Sequence, residues 1–154
     1  MEVLGKKGIG SVLKILLQIS FSFGIIILVA FPIIIYNENP SINPNIVIFY
    51  PNAICLLIII HQFVGLFDSL KNSNPFCENT VRRLKFSSKI CGVASIFWII
   101  DFLYEALLVK NIISVLLILL FLVILFIGVT IALYILSELF NQALKYKNEN
   151  ELTI

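Results

Sequence analysis

Apolar residues fall into four blocks separated by short polar breaks. Each block is long enough to cross a bilayer, which takes about 20 mostly apolar residues. The first runs from about Ile15 to Tyr36 and the second from about Ile46 to Phe67. The third, about Ile90 to Val109, contains Asp101 and Glu105, while the fourth, Ile112 to Ile135, has no charged residue. This pattern predicts an all-α, polytopic membrane protein. It would be one four-helix domain over residues 1–154, with a linker at 68–89 and a tail at 136–154.

Composition agrees with the pattern. Hydrophobic residues make up 60% of the chain and charged residues 13%, against roughly 45–50% and 25% in ordinary globular chains. A soluble fold of this size has too little interior to hide so much apolar surface. Lys6, Lys7 and Lys14 before the first block give it the look of a secretory signal. A signal's apolar region is only about 7–15 residues long, and this one continues through Pro32, so we expect an uncleaved membrane helix.

Basic residues set the expected orientation, since cytoplasmic segments are enriched in Lys and Arg. Lys6, Lys7 and Lys14 precede the first block; Lys71, Arg82, Arg83, Lys85 and Lys89 follow the second; Lys145 and Lys147 follow the fourth. The Asn37–Asn45 turn has no basic residue, and the turn between blocks three and four has only Lys110. Both termini and the central linker are therefore expected in the cytoplasm, with the chain multi-pass in the cell membrane. The Lys110–Asn111 turn is so short that blocks three and four must be antiparallel neighbours.

Within the central linker, Asn74-Pro-Phe-Cys-Glu-Asn-Thr-Val-Arg-Arg-Leu84 predicts a helix start. Pro75 ends what precedes it, and Glu78 complements the dipole of a first turn. The expected linker helix, Glu78 to Lys89, would lie at the interface, with Val81, Leu84 and Ile90 toward lipid and Arg82, Arg83 and Lys85 at headgroups. The plainest reading is a topology determinant. The tail repeats Leu136, Leu139, Phe140, Ala143 and Leu144 at helical spacing, so the fourth helix should continue past the bilayer as an amphipathic helix. We expect it to pack on the linker helix, where Glu138 and the acidic end could face Arg82 and Arg83; Glu138 could also meet Lys14, and reaching out to water is the plainer account.

These two segments resemble the hallmarks of the YoaS-like family of small bacterial membrane proteins, a domain of unknown function. One hallmark is the Asn74–Leu84 run; the other is Leu136-Ser-Glu-Leu-Phe140 with the acidic end Lys147-Asn-Glu-Asn-Glu-Leu-Thr-Ile154. Cys77 stands where members often carry Ser or Thr, and Thr80 where they often carry Asn. The resemblance implies a four-helix membrane protein, often encoded beside a small Cro/CI-type helix-turn-helix regulator. It therefore implies a docking surface for such a regulator, drawn from Pro75, Phe76, Glu78, Arg82, Arg83, Leu84, Glu138, Glu151, Leu152, Thr153 and Ile154.

The third block carries the chemical oddity. A charged group at mid-membrane costs about 2.5–3.5 kcal/mol on insertion scales, while each Leu, Ile, Phe or Val returns about 0.3–0.6. Asp101 and Glu105 thus nearly cancel the apolar gain of that helix, which needs its neighbours to shelter them. At about 100° per residue, Ser88, Cys91, Ala94, Ser95, Trp98, Asp101 and Glu105 share one face, and Val93, Ile96, Ile100, Leu103 and Leu107 share the other. The first face suits close helix contact, and Asp101, Glu105, Trp98 and Ser95 form a candidate intramembrane polar site. His61 lies too deep for a direct pair with Asp101 and is expected, with Gln62, to hydrogen-bond between helices.

No zinc-type spacing, phosphate loop or nucleophile arrangement is present, and three cysteines cannot all pair. No enzyme activity, metal or cofactor is expected, and the only partners implied are the bilayer, the cytosolic regulator and a second copy of the chain, with no direct contact to nucleic acid. Two functions stay open. One is a regulatory membrane protein that binds or sequesters the regulator in response to a membrane or extracellular signal. The other is an immunity or small transport protein that handles a cationic peptide or ion through the Asp101/Glu105 face.

Overall fold

The computed structural model describes residues 9–38, 44–71, 77–109 and 113–152. It is all-helical among those residues. Helix α1 spans Ile9–Glu38, α2 Pro44–Lys71, α3 Glu78–Tyr104 and α4 Ile113–Leu152. A π-helical turn, Glu105–Val109, extends α3. All four helices are long and apolar enough to cross a membrane.

Successive helices run antiparallel, up and down. Helix α1 packs on α2, α2 on α3 and α3 on α4. Lys14 of α1 pairs with Asp68 near the end of α2, and Arg83 near the start of α3 donates from Nη1 to Gln62 Oε1 of α2 at 3.3 Å. These contacts define one end of the molecule, here the basic end. At the opposite end, the Tyr50 hydroxyl of α2 donates to the Leu28 carbonyl of α1 at 2.6 Å.

Helix α1 is peripheral. Its outward residues, from Val12 at 58% to Phe23 and Ile26 at 62%, are as exposed as surface side chains. Surface this apolar belongs against acyl chains. The tightest packing is between α3 and α4, and small residues make it possible. Ser87, Cys91 and Ala94 are almost fully buried, and Ser88 Oγ donates to the Thr130 carbonyl of α4 at 3.0 Å. Small side chains let membrane helices approach closely, and hydroxyl-to-carbonyl bonds then span the gap. Gly24, by contrast, marks the α1–α2 contact: a Cβ there would meet Leu57 Cδ2 at 2.6 Å.

Two expectations are corrected here. The linker helix and the third span are one helix, with no proline between Glu78 and Tyr104 to interrupt it. Leu84 does not face lipid. It is 3% exposed and joins Ile59, Leu66, Cys91 and Leu133 in the core, with Phe63, Ile90 and Phe140 packed against them. Leu84 lies one helical turn below Thr80, two turns before Cys91 and on the same buried stripe, so the helix phase that buries Cys91 and Ala94 also buries Leu84.

Helix α4 is the long element. At 1.5 Å per residue, its 40 residues reach about 60 Å, twice the roughly 30 Å hydrocarbon core. The part beyond Ile135 is helical as expected, and Phe140 anchors it to the cluster around Leu84.

Candidate functional site

The acidic face of α3 turns inward as its periodicity requires. Ser95 is buried, its hydroxyl donating to the Gly92 carbonyl at 2.7 Å. Glu105 is 5% exposed, and Asp101, one turn earlier, is half-buried. Opposite them, Val93, Ile96, Ile100, Leu103 and Leu107 are exposed. Glu105 opens the π-helical turn, and its N–H reaches both the Asp101 and Phe102 carbonyls. A π turn widens the helix by one residue and re-aims the side chains around it.

Trp98 extends this face into a cleft. Its ring packs on Phe126 of α4 with centroids 6.1 Å apart at 41°. The cleft holds about 200 Å³ between α1, α2, α3 and α4, with Gly24, Leu28, Asn52, Leu57, Trp98 and Phe126 among its walls. Asn52 is a residue that sequence reasoning missed. It sits on α2 beside Pro51, is 5% exposed, and neither Nδ2 nor Oδ1 has a hydrogen-bond partner among the described residues. The indole Nε1 of Trp98 is in the same position. One signal was available in the sequence: Asn52 is an amide inside an apolar block, where polar groups must find partners.

The basic end carries the second group of candidate residues. Arg83 lies across Gly65, where an added Cβ would overlap its guanidinium. His61, Gln62, Asn79, Arg82, Arg83 and Phe86 line a polar cleft of about 380 Å³. Gln62 therefore bonds between helices as expected, whereas His61 packs on Phe21 of α1, ring centroids 5.6 Å apart. Lys14 pairs with Asp68 and Arg83 turns to Gln62, so Glu138 does not have the Lys14 pairing that its place on α4 suggested. Glu78 is exposed in the first turn of α3, Arg82 is exposed on the next, and Glu138 is half-buried beside Ser137. Glu151 and Leu152 fall in the last turn of α4; Pro75, Phe76, Thr153 and Ile154 lie outside the described residues. Among the described residues, no group of three His, Cys, Asp or Glu side chains is placed to hold a metal ion.

Residues 31–154 match the model of a family described as Protein of unknown function (DUF2975). The chain belongs to that family. No curated protein and no solved structure matches it. The DUF2975 match takes in both clefts' walls from α2, α3 and α4, and leaves out most of α1, the helix that packs on α2 alone among the strong contacts.

The N-cap of α3 in this DUF2975 chain is Cys77, and it makes no side-chain cap bond. Sulfur is a poor substitute for the oxygen that usually caps a first turn. Instead Cys77 Sγ and the Thr80 hydroxyl share a hydrogen bond at 3.1 Å. The Thr80 hydroxyl, helped by nearby backbone N–H groups, holds the Cys77 thiol below its ordinary range against a smaller opposing effect of burial. Ionised thiol is the reactive form. Cys77 should therefore be alkylated well before the buried Cys55 and Cys91, with a rate profile displaced toward lower pH than a free thiol's. Thr80→Val should move that profile back up, as rates of a soluble alkylating reagent across pH 6–10 would reveal. Equal rates in both proteins would rule out the hydroxyl as the cause.

Proposed function

We propose that this chain is a cell-membrane docking protein, with both termini cytoplasmic, that holds a small helix-turn-helix transcription regulator on a platform built from the first turns of α3 and the extension of α4. The observation behind this reading is the extension itself. A 40-residue helix is far longer than a span requires, and Phe140 fastens it to the Leu84 cluster. Exposed ion pairs there would contribute only about 0–1 kcal/mol each, too little for stability to explain the extension. A firmly held helix with Leu139 and Tyr146 exposed at 56% and 68% suits a partner's groove. The resemblance of both segments to the YoaS-like hallmarks supports the same partner.

Capture from bacterial membranes tests it. Full-length protein should retain the regulator, and a chain lacking Asn148 to Ile154 should insert at normal abundance but lose it. A truncated chain that binds normally would sink the docking reading. Loss of the truncated chain from the membrane would mean the tail serves the fold.

The orientation has its own test. With Cys55, Cys77 and Cys91 replaced, a single cysteine at Ser41 should react with an impermeant reagent in intact cells, and one at Ser73 should not. The reverse pattern overturns the orientation.

A second reading rests on Glu105, a carboxyl side chain buried at a π turn. Intramembrane acids often mark ion or ligand paths, which favours an immunity or small transport role toward a cationic peptide or ion. Asp101→Asn with Glu105→Gln would separate the two: regulator capture survives under the docking reading, and peptide resistance or ion uptake is lost under this one.

A further inference from the structure

We propose that the cleft among α1, α2, α3 and α4 is a binding site for a small neutral amphiphile carrying a hydroxyl group, held by Asn52 and Trp98. This site stands apart from the docking reading and does not depend on it. Three polar atoms carry the inference: Asn52 Nδ2, Asn52 Oδ1 and Trp98 Nε1 are buried and have no protein partner among the described residues. Both side chains line one cleft. Buried polar groups in native folds are nearly always paired, so three unpaired atoms on two residues that line one cleft point to a group that reaches them from it.

The cleft's chemistry defines the ligand. Its other walls are almost wholly apolar, and no charged residue lines it among the described residues. An ion there would lack a countercharge, which a low-dielectric site penalises heavily. Asn52 offers two donors and an acceptor, and Trp98 offers a donor. A hydroxyl answers both, donating to Oδ1 while accepting from Nδ2 or Nε1. Tyr50, on the same wall, has already spent its hydroxyl on the Leu28 carbonyl. Size sets the rest. A cavity of about 150 Å³ holds benzene, and this cleft holds about 200 Å³, enough for a substituted ring or a short chain but not for a whole diacyl lipid. The ligand would arrive through the bilayer, since the walls belong to helices that span it.

Trp98 is the only tryptophan, so its fluorescence reports on the site directly. Full-length protein in phosphatidylcholine nanodiscs is titrated with 4-bromophenol, neutral at pH 6.5, and in parallel with bromobenzene. We expect saturable quenching by the phenol, and Asn52→Leu should raise its half-quenching concentration about tenfold, the equivalent of about 1.4 kcal/mol. Bromobenzene should quench both proteins alike. Gly24→Leu forces a larger side chain against Leu57 on the cleft wall and should abolish the saturable component, with helicity by circular dichroism unchanged. Quenching that never saturates and is identical in Asn52→Leu means bilayer partition alone and overturns the site. Equal affinity for phenol and bromobenzene means that the polar atoms are simply hydrated, and overturns it too. Quenching by lipids brominated on their acyl chains that the unbrominated phenol fails to relieve means that an acyl chain fills the cleft, and the proposed site falls in that case as well.

Discussion

Leu84→Ala is expected to lower unfolding stability in mixed micelles by about 2 kcal/mol, while Ile96→Ala should change it by less than about 0.5. The two residues lie on the same helix and are equally apolar. They differ in surroundings: Leu84 is 3% exposed among Ile59, Leu66, Cys91 and Leu133, and Ile96 is 57% exposed. Buried Leu→Ala changes in soluble proteins cost roughly 2–5 kcal/mol, part of it transfer from water and part the cavity left behind. In a bilayer or micelle the separated helix returns its leucine to hydrocarbon, so the transfer part shrinks and the cavity part is left. That puts the expected loss at the low end. The outcome also bears on regulator docking, because Phe140 packs on the same cluster. A hole at Leu84 should loosen the α4 extension and weaken regulator capture as well. Equal, small effects at both positions would return Leu84 to the lipid-facing role that its place in the linker first suggested.

Leu84 also shows where the sequence was legible and where it was not. The four helices follow from block length alone, because backbone polar groups in lipid leave few alternatives to helix. The inward face of α3 follows as well: periodicity alone separates Ser88, Cys91, Ala94 and Ser95 from Val93, Ile96 and Ile100, and the burial pattern agrees residue by residue. What failed was the assumption that Lys and Arg among apolar residues mark a separate surface helix. The phase of α3 does not reset at Ile90, so its inward stripe continues back through Ser87 and Leu84 to Thr80. Extending the third block's periodicity backward would have placed Leu84 correctly. Pairing was harder still. Lys14 has several acids within plausible reach, and only the relative height of α1 and α2 selects Asp68. The cleft around Asn52 was illegible for a related reason: it depends on α1 and α3 packing against α2, which no local pattern in residues 44–71 encodes.

The largest expected effect concerns the acids of α3, and it has opposite signs in the isolated helix and the whole protein. Grafted into a host membrane protein, the segment Ile90–Val109 should insert only about half of the time. Replacing Asp101 and Glu105 with leucine removes two penalties of about 2.5–3.5 kcal/mol, less for their distance from the midplane, and adds about 0.3–0.6 for each leucine. Several kcal/mol is ample to drive insertion to near completion. In the full chain the same acids are sheltered, with Glu105 5% exposed and Asp101 turned to the same inward face. The penalty is already offset there by neighbouring helices, so the double leucine variant should gain little membrane abundance. It should instead lose stability to unfolding, because Glu105 gives up the contacts that it makes when buried. Insertion efficiency in the host and unfolding of the full-length variant measure the two halves independently. Complete insertion of the natural segment would show that the acids were never a barrier, and the case for a sheltered, functional acidic face would fall with it.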